Sequence, residues 1–195
     1  MVCLSALGTA MLMPHRRSQT PATATSFPKI QIDLSKSLDG RNFGFSGHPH
    51  ETHLEFIGHR MLTLTFPDKT LATFEVGTRQ FFQRNGKIIS VNLFSPATDL
   101  DGAYSLASRY IAKWKLPGQH ELDIWRDSWN TAQGLSKQRR KAVSNGDNWT
   151  GKLTPVDNGC MLMVGVKTTF LGPGDHDGWT VVWSIGTSEG NWDGE

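Results

Sequence analysis

The stretch FFQRNGKIISVNLF, residues 81–94, constrains the fold of this chain more than any other. It sets Asn85-Gly86 between two apolar runs, and that pair suits a type I′ turn, whose two central residues both need positive φ. A turn of this kind joins antiparallel neighbours, so a β-hairpin is expected here. The residues before it extend the pattern. In HLEFIGHRMLTLTF (53–66) the second half alternates, with Met61, Thr63 and Thr65 on one face and Leu62, Leu64 and Phe66 on the other. Pro67-Asp68-Lys69 marks a turn, and LATFEV (71–76) returns as the partner strand. With a short alternating strand KIQID (29–33) ahead of it, this half reads as an antiparallel meander.

The period then changes. Leu100, Ala103, Tyr104, Ala107, Tyr110, Ile111 and Trp114 recur at spacings of three and four, the signature of one helix face. Thr98 and Asp101 resemble a capping box at its start, with Asp where Glu or Gln is usual. Leu116-Pro117-Gly118 stops the helix. A second helix is expected over about Glu121 to Gln133, with Leu122, Trp125, Trp129 and Ala132 on one stripe and Gly134 at its end. Two more strands follow. CMLMVGVKTTF (160–170) aligns Cys160, Leu162, Val164, Val166, Thr168 and Phe170; GWTVVWSIGTS (178–188) aligns Trp179, Val181, Trp183 and Ile185. The short, turn-rich LGPGDHDG between them makes the pair a hairpin. A meander, two helices and a closing hairpin predict an α+β fold: a mostly antiparallel sheet with the helices on one face.

At 195 residues the chain suits one domain, placed at residues 27–190 with a tail at 191–195. Residues 1–26 read as a leader and linker. VCLSALGTAMLM (2–13) is apolar or small throughout, too short to span a bilayer, and is followed by Ala22-Thr23-Ala24, an A-x-A cleavage pattern. Two features depart from a signal peptide: no basic residue precedes the apolar run, and Arg16-Arg17 lie in the cleavage region. Export to the periplasm or cell envelope is the expectation. Cys3 and Cys160 are the only cysteines, which excludes a disulfide framework and a four-cysteine zinc site. Cys160 reads as a small buried hydrophobe. A formal net charge of +2 argues for neither nucleic acid nor an anionic membrane as partner.

Chemistry-bearing residues are few. GHPHETHLEFIGHR (47–60) holds four of the seven histidines, and His48, His50 and His53 could supply the three protein ligands of a catalytic zinc. Their spacing is not helical; on a strand His53 would face away from the other two, and Pro49 argues for a loop. A polar turn is the expected reading, with His59 a half-exposed strand residue and no cofactor or metal assigned. GFSGH (44–48) lacks the last glycine of a nucleophile elbow. Arg139 and Arg140 form the centre of the one basic cluster, and Asp175, His176 and Asp177 lead into Trp179. These six are the candidate partner-binding residues, with the tryptophan as an interface anchor. The functional expectation is thus a non-enzymatic binding protein that holds another protein, an inhibitor or immunity partner of a secreted toxin being the particular class considered. The alternatives are a small metal-dependent hydrolase using His48, His50 and His53, and a carrier of an apolar small molecule between the sheet and the tryptophan-bearing helices.

Overall fold

The computed structural model describes residues 29–48, 51–135, 139, 148–170 and 177–187. Among these residues the elements succeed one another as β1 (Lys29–Asp33), a short 3-10 helix (Gly40–Phe43), β2 (His53–Thr65), β3 (Leu71–Arg84), β4 (Lys87–Phe94), α1 (Leu100–Trp114), α2 (Gln119–Ala132), β5 (Trp149–Thr150), β6 (Thr154–Pro155), β7 (Met161–Phe170) and β8 (Asp177–Gly186). The strands form one sheet in the order β1-β2-β3-β4-β8-β7-β5, with β6 also on β7. Every pairing is antiparallel except that of β1 with β2. The α+β, mostly antiparallel architecture predicted from the sequence is what the chain adopts.

The Asn85-Gly86 turn forms as the sequence requires, with φ of 51° and 75°. The strand before it is longer than expected. Rather than stopping at Val76, β3 runs on through Gly77 to Arg84, and its burial rhythm changes phase on the way. Ala72, Phe74 and Val76 are buried in the first half, Phe81 and Gln83 in the second. Opposite Gly77, β2 carries a bulge between Ile57 and Arg60, and Gly58 there takes a φ of 137° that suits glycine.

Both helices pack on the same face of β8. Tyr110 of α1 meets Trp183 edge-on at 5.0 Å between centroids and lies flat on Phe74 of β3 at 5.4 Å. Trp129 of α2 meets Trp179 edge-on at 5.5 Å. Leu122, Trp125, Trp129 and Ala132, the stripe expected to face the sheet, are all buried. So are Leu162, Val164 and Val166 on β7, and Leu62, Leu64 and Phe66 along β2 and its turn. The N-cap of α1 differs from expectation. Asp99, not Thr98, accepts the Gly102 N–H at 2.7 Å. Thr98 instead exchanges two backbone hydrogen bonds with Trp179, of 2.8 and 2.9 Å, which tie the start of α1 to β8. Among the described residues no helix is long and apolar enough to cross a membrane.

Candidate functional site

The sheet divides at Gly77. Strand β4 accompanies only the second half of β3, from Thr78 to Arg84, and ends at Phe94. The chain then leaves β3 and follows β8. Ser95 N–H donates to the Val181 carbonyl at 2.9 Å, and Val181 N–H returns to the Ser95 hydroxyl at 2.9 Å. The first half of β3, Leu71–Val76, is therefore paired with β2 on one side and with no strand on the other, among the described residues. Helix α1 crosses beyond it. What remains between is a cleft of about 870 Å³.

One wall of the cleft is Thr73 and Glu75 of β3 with Met61 of β2; the other is Ser95 to Thr98 and the helix residues Ser105, Leu106, Arg109 and Lys113. Tyr110 and Trp183 lie deepest, at 8% and 1% exposure. The helix supplies its wall because Gly102, Leu106 and Tyr110 recur every four residues, as do Ser105, Arg109 and Lys113 beside them. Glycine suits position 102, since a Cβ there would press on the side-chain oxygens of Thr98 and of the capping Asp99 and make both shift.

The electrostatics are one-sided. Arg109 and Lys113, both exposed, flank the Tyr110 ring at 5.8 and 5.7 Å from its centroid. Neither has a carboxylate within 4.0 Å among the described residues. Two like charges four residues apart weaken a helix by roughly 0.2–0.5 kcal/mol; Lys113, in the last turn, regains this from the negative end of the helix dipole, whereas Arg109, a turn earlier, does not. Across the cleft Glu75 is engaged by His59, whose Nε2 lies 2.6 Å from its carboxylate. Burial pushes the Tyr110 hydroxyl above its ordinary pKa, so it stays a proton donor, and it donates to the Thr73 carbonyl at 3.3 Å. The Trp183 indole N–H finds no partner among the described residues.

The residues singled out from the sequence lie elsewhere. Trp179 is 6% exposed and belongs to the core against Trp129, so its ring presents no surface anchor. Arg139 is exposed; Asp177 begins β8; Arg140, Asp175 and His176 fall outside the described residues. Of the histidines considered for zinc, His48 is exposed, His53 lies exposed against the Phe82 ring at 5.5 Å, and His50 is outside the described residues. Among the described residues no three His, Cys, Asp or Glu side chains gather as a metal site. His59 does sit half-exposed on its strand. Cys160 is buried, and desolvation pushes its thiol up to about 11, well away from a reactive thiolate. Sequence reasoning passed over Arg109 and Lys113 because they fall on the polar side of an amphipathic helix. The i, i+4 repetition of Ser105, Arg109 and Lys113 beside Leu106 and Tyr110 was the available signal. Comparison of the chain with family models, with curated proteins and with solved structures found no match.

Proposed function

We propose that this chain is an exported, non-enzymatic binding protein that holds another protein in the cleft between β3 and α1. The observation that carries the reading is the pair of exposed cations, Arg109 and Lys113, without a described carboxylate partner beside a cleft of about 870 Å³. Unpaired charge at the lip of a cleft with an aromatic floor offers a partner both steering and apolar contact. Export rests on the apolar run at 2–13 and the Ala22-Thr23-Ala24 pattern. An inhibitor or immunity partner of a secreted toxin is the class of binding protein that fits those two properties together.

A photo-crosslinking residue in place of Ser105, which is exposed in the cleft wall, tests this in the native host. The same residue in place of Arg84, at the far end of β3, serves as the control. A discrete adduct with another polypeptide is expected from position 105 and not from 84. Equal adducts from both positions, or none from 105, would remove the reading. N-terminal sequencing of the chain from the same cells is expected to begin after Ala24; an intact Met1 would remove the export part.

A further inference from the structure

The cleft has a property beyond its charge: one of its walls is the edge of a β-sheet, and the backbone groups there point into it. In an antiparallel ladder, pairs that exchange hydrogen bonds alternate with pairs that do not, and the second kind aim their N–H and C=O away from each other's strand. The Phe66 N–H donates to the Thr70 carbonyl at 2.9 Å, so Phe66 and Thr70 are a bonded pair. Stepping along the register, Leu64/Ala72, Leu62/Phe74 and Arg60/Val76 are bonded too. Thr65/Leu71, Thr63/Thr73 and Met61/Glu75 are the pairs between. Two contacts agree with this phase. The Thr65 carbonyl reaches outward to the Leu34 N–H at 2.8 Å, and the Thr73 carbonyl reaches outward to the Tyr110 hydroxyl at 3.3 Å. Leu71, Thr73 and Glu75 therefore present three N–H groups and two further carbonyls along the open edge.

The groove follows that edge. Beyond Lys113 the cleft is succeeded by a smaller one of about 250 Å³, lined by Thr70, Leu71 and Ala72 on the strand side and Lys113, Trp114 and Lys115 on the helix side. Leu71 to Glu75 spans four residue steps, about 14 Å at 3.4 Å per residue, and the two hollows share Lys113 along it. We propose that this edge takes up an extended peptide segment of the partner as an added strand, with an acidic side chain of that segment set between Arg109 and Lys113. Main-chain hydrogen bonds to Leu71, Thr73 and Glu75 give the affinity in such a mode, and side-chain pockets give the selectivity. The acidic demand is local to the Glu75 end: there Glu75 is already held by His59, and Arg109 and Lys113 face the space. At the Leu71 end Asp68 and Asp157 accompany Lys115 and the Lys113 shared by both hollows, so the positive excess there is smaller and Arg109 is the cation that belongs to the Glu75 end alone. The competing account is that α1 and its lysine merely shield the edge from unwanted pairing.

This inference rests on the binding reading above and is tested apart from it. A fluorescein-labelled peptide of about seven residues, alternating Val and Glu and capped at both ends, is titrated into the full chain and followed by anisotropy. Saturable binding is expected, and N-methylation of the amides along one edge of the peptide should weaken it about tenfold or more. N-methylation along the other edge should leave it unchanged. Arg109→Glu with Lys113→Glu should also weaken it about tenfold, with the circular dichroism of the chain unaltered, and a Val/Lys peptide should bind no better than the doubly reversed variant binds Val/Glu. In saturated complex, amide exchange at Leu71, Thr73 and Glu75 should slow while the amides of Thr78 to Arg84 keep their rates. Equal binding by both N-methylated peptides would mean charge contact without strand addition and would overturn the proposal. No binding by any peptide at millimolar concentration, or unchanged exchange at those three amides, would overturn it as well. Neither result touches the adducts from position 105, which report on the broader reading.

Discussion

The two halves of β3 are held in place by opposite means. From Thr78 to Arg84 the strand has a neighbour on each side, β2 and β4, and its tight turn is clasped from outside by the Gly40 N–H on the Gly86 carbonyl at 2.8 Å. From Leu71 to Val76 it has β2 alone, and what steadies it is a face: Phe74 lies against Tyr110, Trp114 and Trp183, at 5.4, 5.9 and 5.1 Å between ring centroids. The braced half has no edge to offer. The half held by its face keeps an edge open, and that is where the cleft lies. Packing a strand by one face thus frees its hydrogen-bonding groups for use, at the cost of making the region depend on a few aromatic rings.

That dependence gives the largest expected effect. Phe74 is fully buried, and Phe74→Ala should destabilise the chain by about 3–5 kcal/mol in urea denaturation, because the lost rings' contacts leave a cavity. Amide exchange should accelerate first in Leu71–Val76. A loss below about 1 kcal/mol, on the scale of a surface change, would show that β2 alone holds this half. Next comes the braced half. At Gly86, where φ is 75° and a Cβ would meet nothing within 4 Å, Gly86→Ala should cost about 1–2 kcal/mol through backbone strain only. Its exchange signature should appear at Gln83–Ile88 and leave Leu71–Val76 unchanged. Tyr110→Phe ranks third. It keeps the stack on Phe74 and removes the 3.3 Å bond to Thr73, for about 0.5–1.5 kcal/mol or less, and it should free the Thr73 carbonyl toward the cleft. An unchanged urea midpoint would mean that water replaces the tyrosine there without loss.

Much of this was legible in the sequence, for local reasons. Asn85-Gly86 needs no partner to declare its turn, and the changes from period two to period 3.6 and back mark both helices and strands β1, β2, β7 and β8 within a residue or two, while the two-residue strands β5 and β6 are too short to show a period. The features that escaped depend on distant partners. Gly77 looks like a strand break when read alone; β3 passes through it because β2 bulges opposite and β4 takes over the pairing beyond. Thr98 has the chemistry of an N-cap, but its backbone is committed to Trp179, eighty-one residues on, and Asp99 takes the role. Trp179 looked like an anchor for a partner because aromatic residues serve both surfaces and cores; only the arrival of Trp129 from α2 decides which. The cleft itself arises from the register at which β4 ends, and no local pattern encodes that.

The smallest expected effect concerns pH and the point where the open half begins. Asp33, at the end of β1, is held by Ser35 and Lys36, whose hydrogen bonds bring its carboxyl down to about 2. The Ser35 hydroxyl in turn accepts from Lys69 at 2.7 Å, so this exposed chain links β1 to the turn that leads into Leu71. A carboxyl whose pKa is lowered by folding contributes its stability above its unfolded value, near 3.8, and loses it as the pH falls through the folded value of about 2. Acid should therefore loosen the β2–β3 turn within that window. Asp33→Asn should lose the bond to Lys36 at neutral pH and flatten this part of the acid limb, read as the exchange rate of the hydrogen-bonded Thr70 and Ala72 amides between about pH 4 and 2 against the same amides in the parent chain. The Thr78–Arg84 amides, with a neighbour on both sides, should show no difference between variant and parent. If they respond as strongly as Thr70 and Ala72, the two halves open together and the contrast between them belongs to the static fold alone.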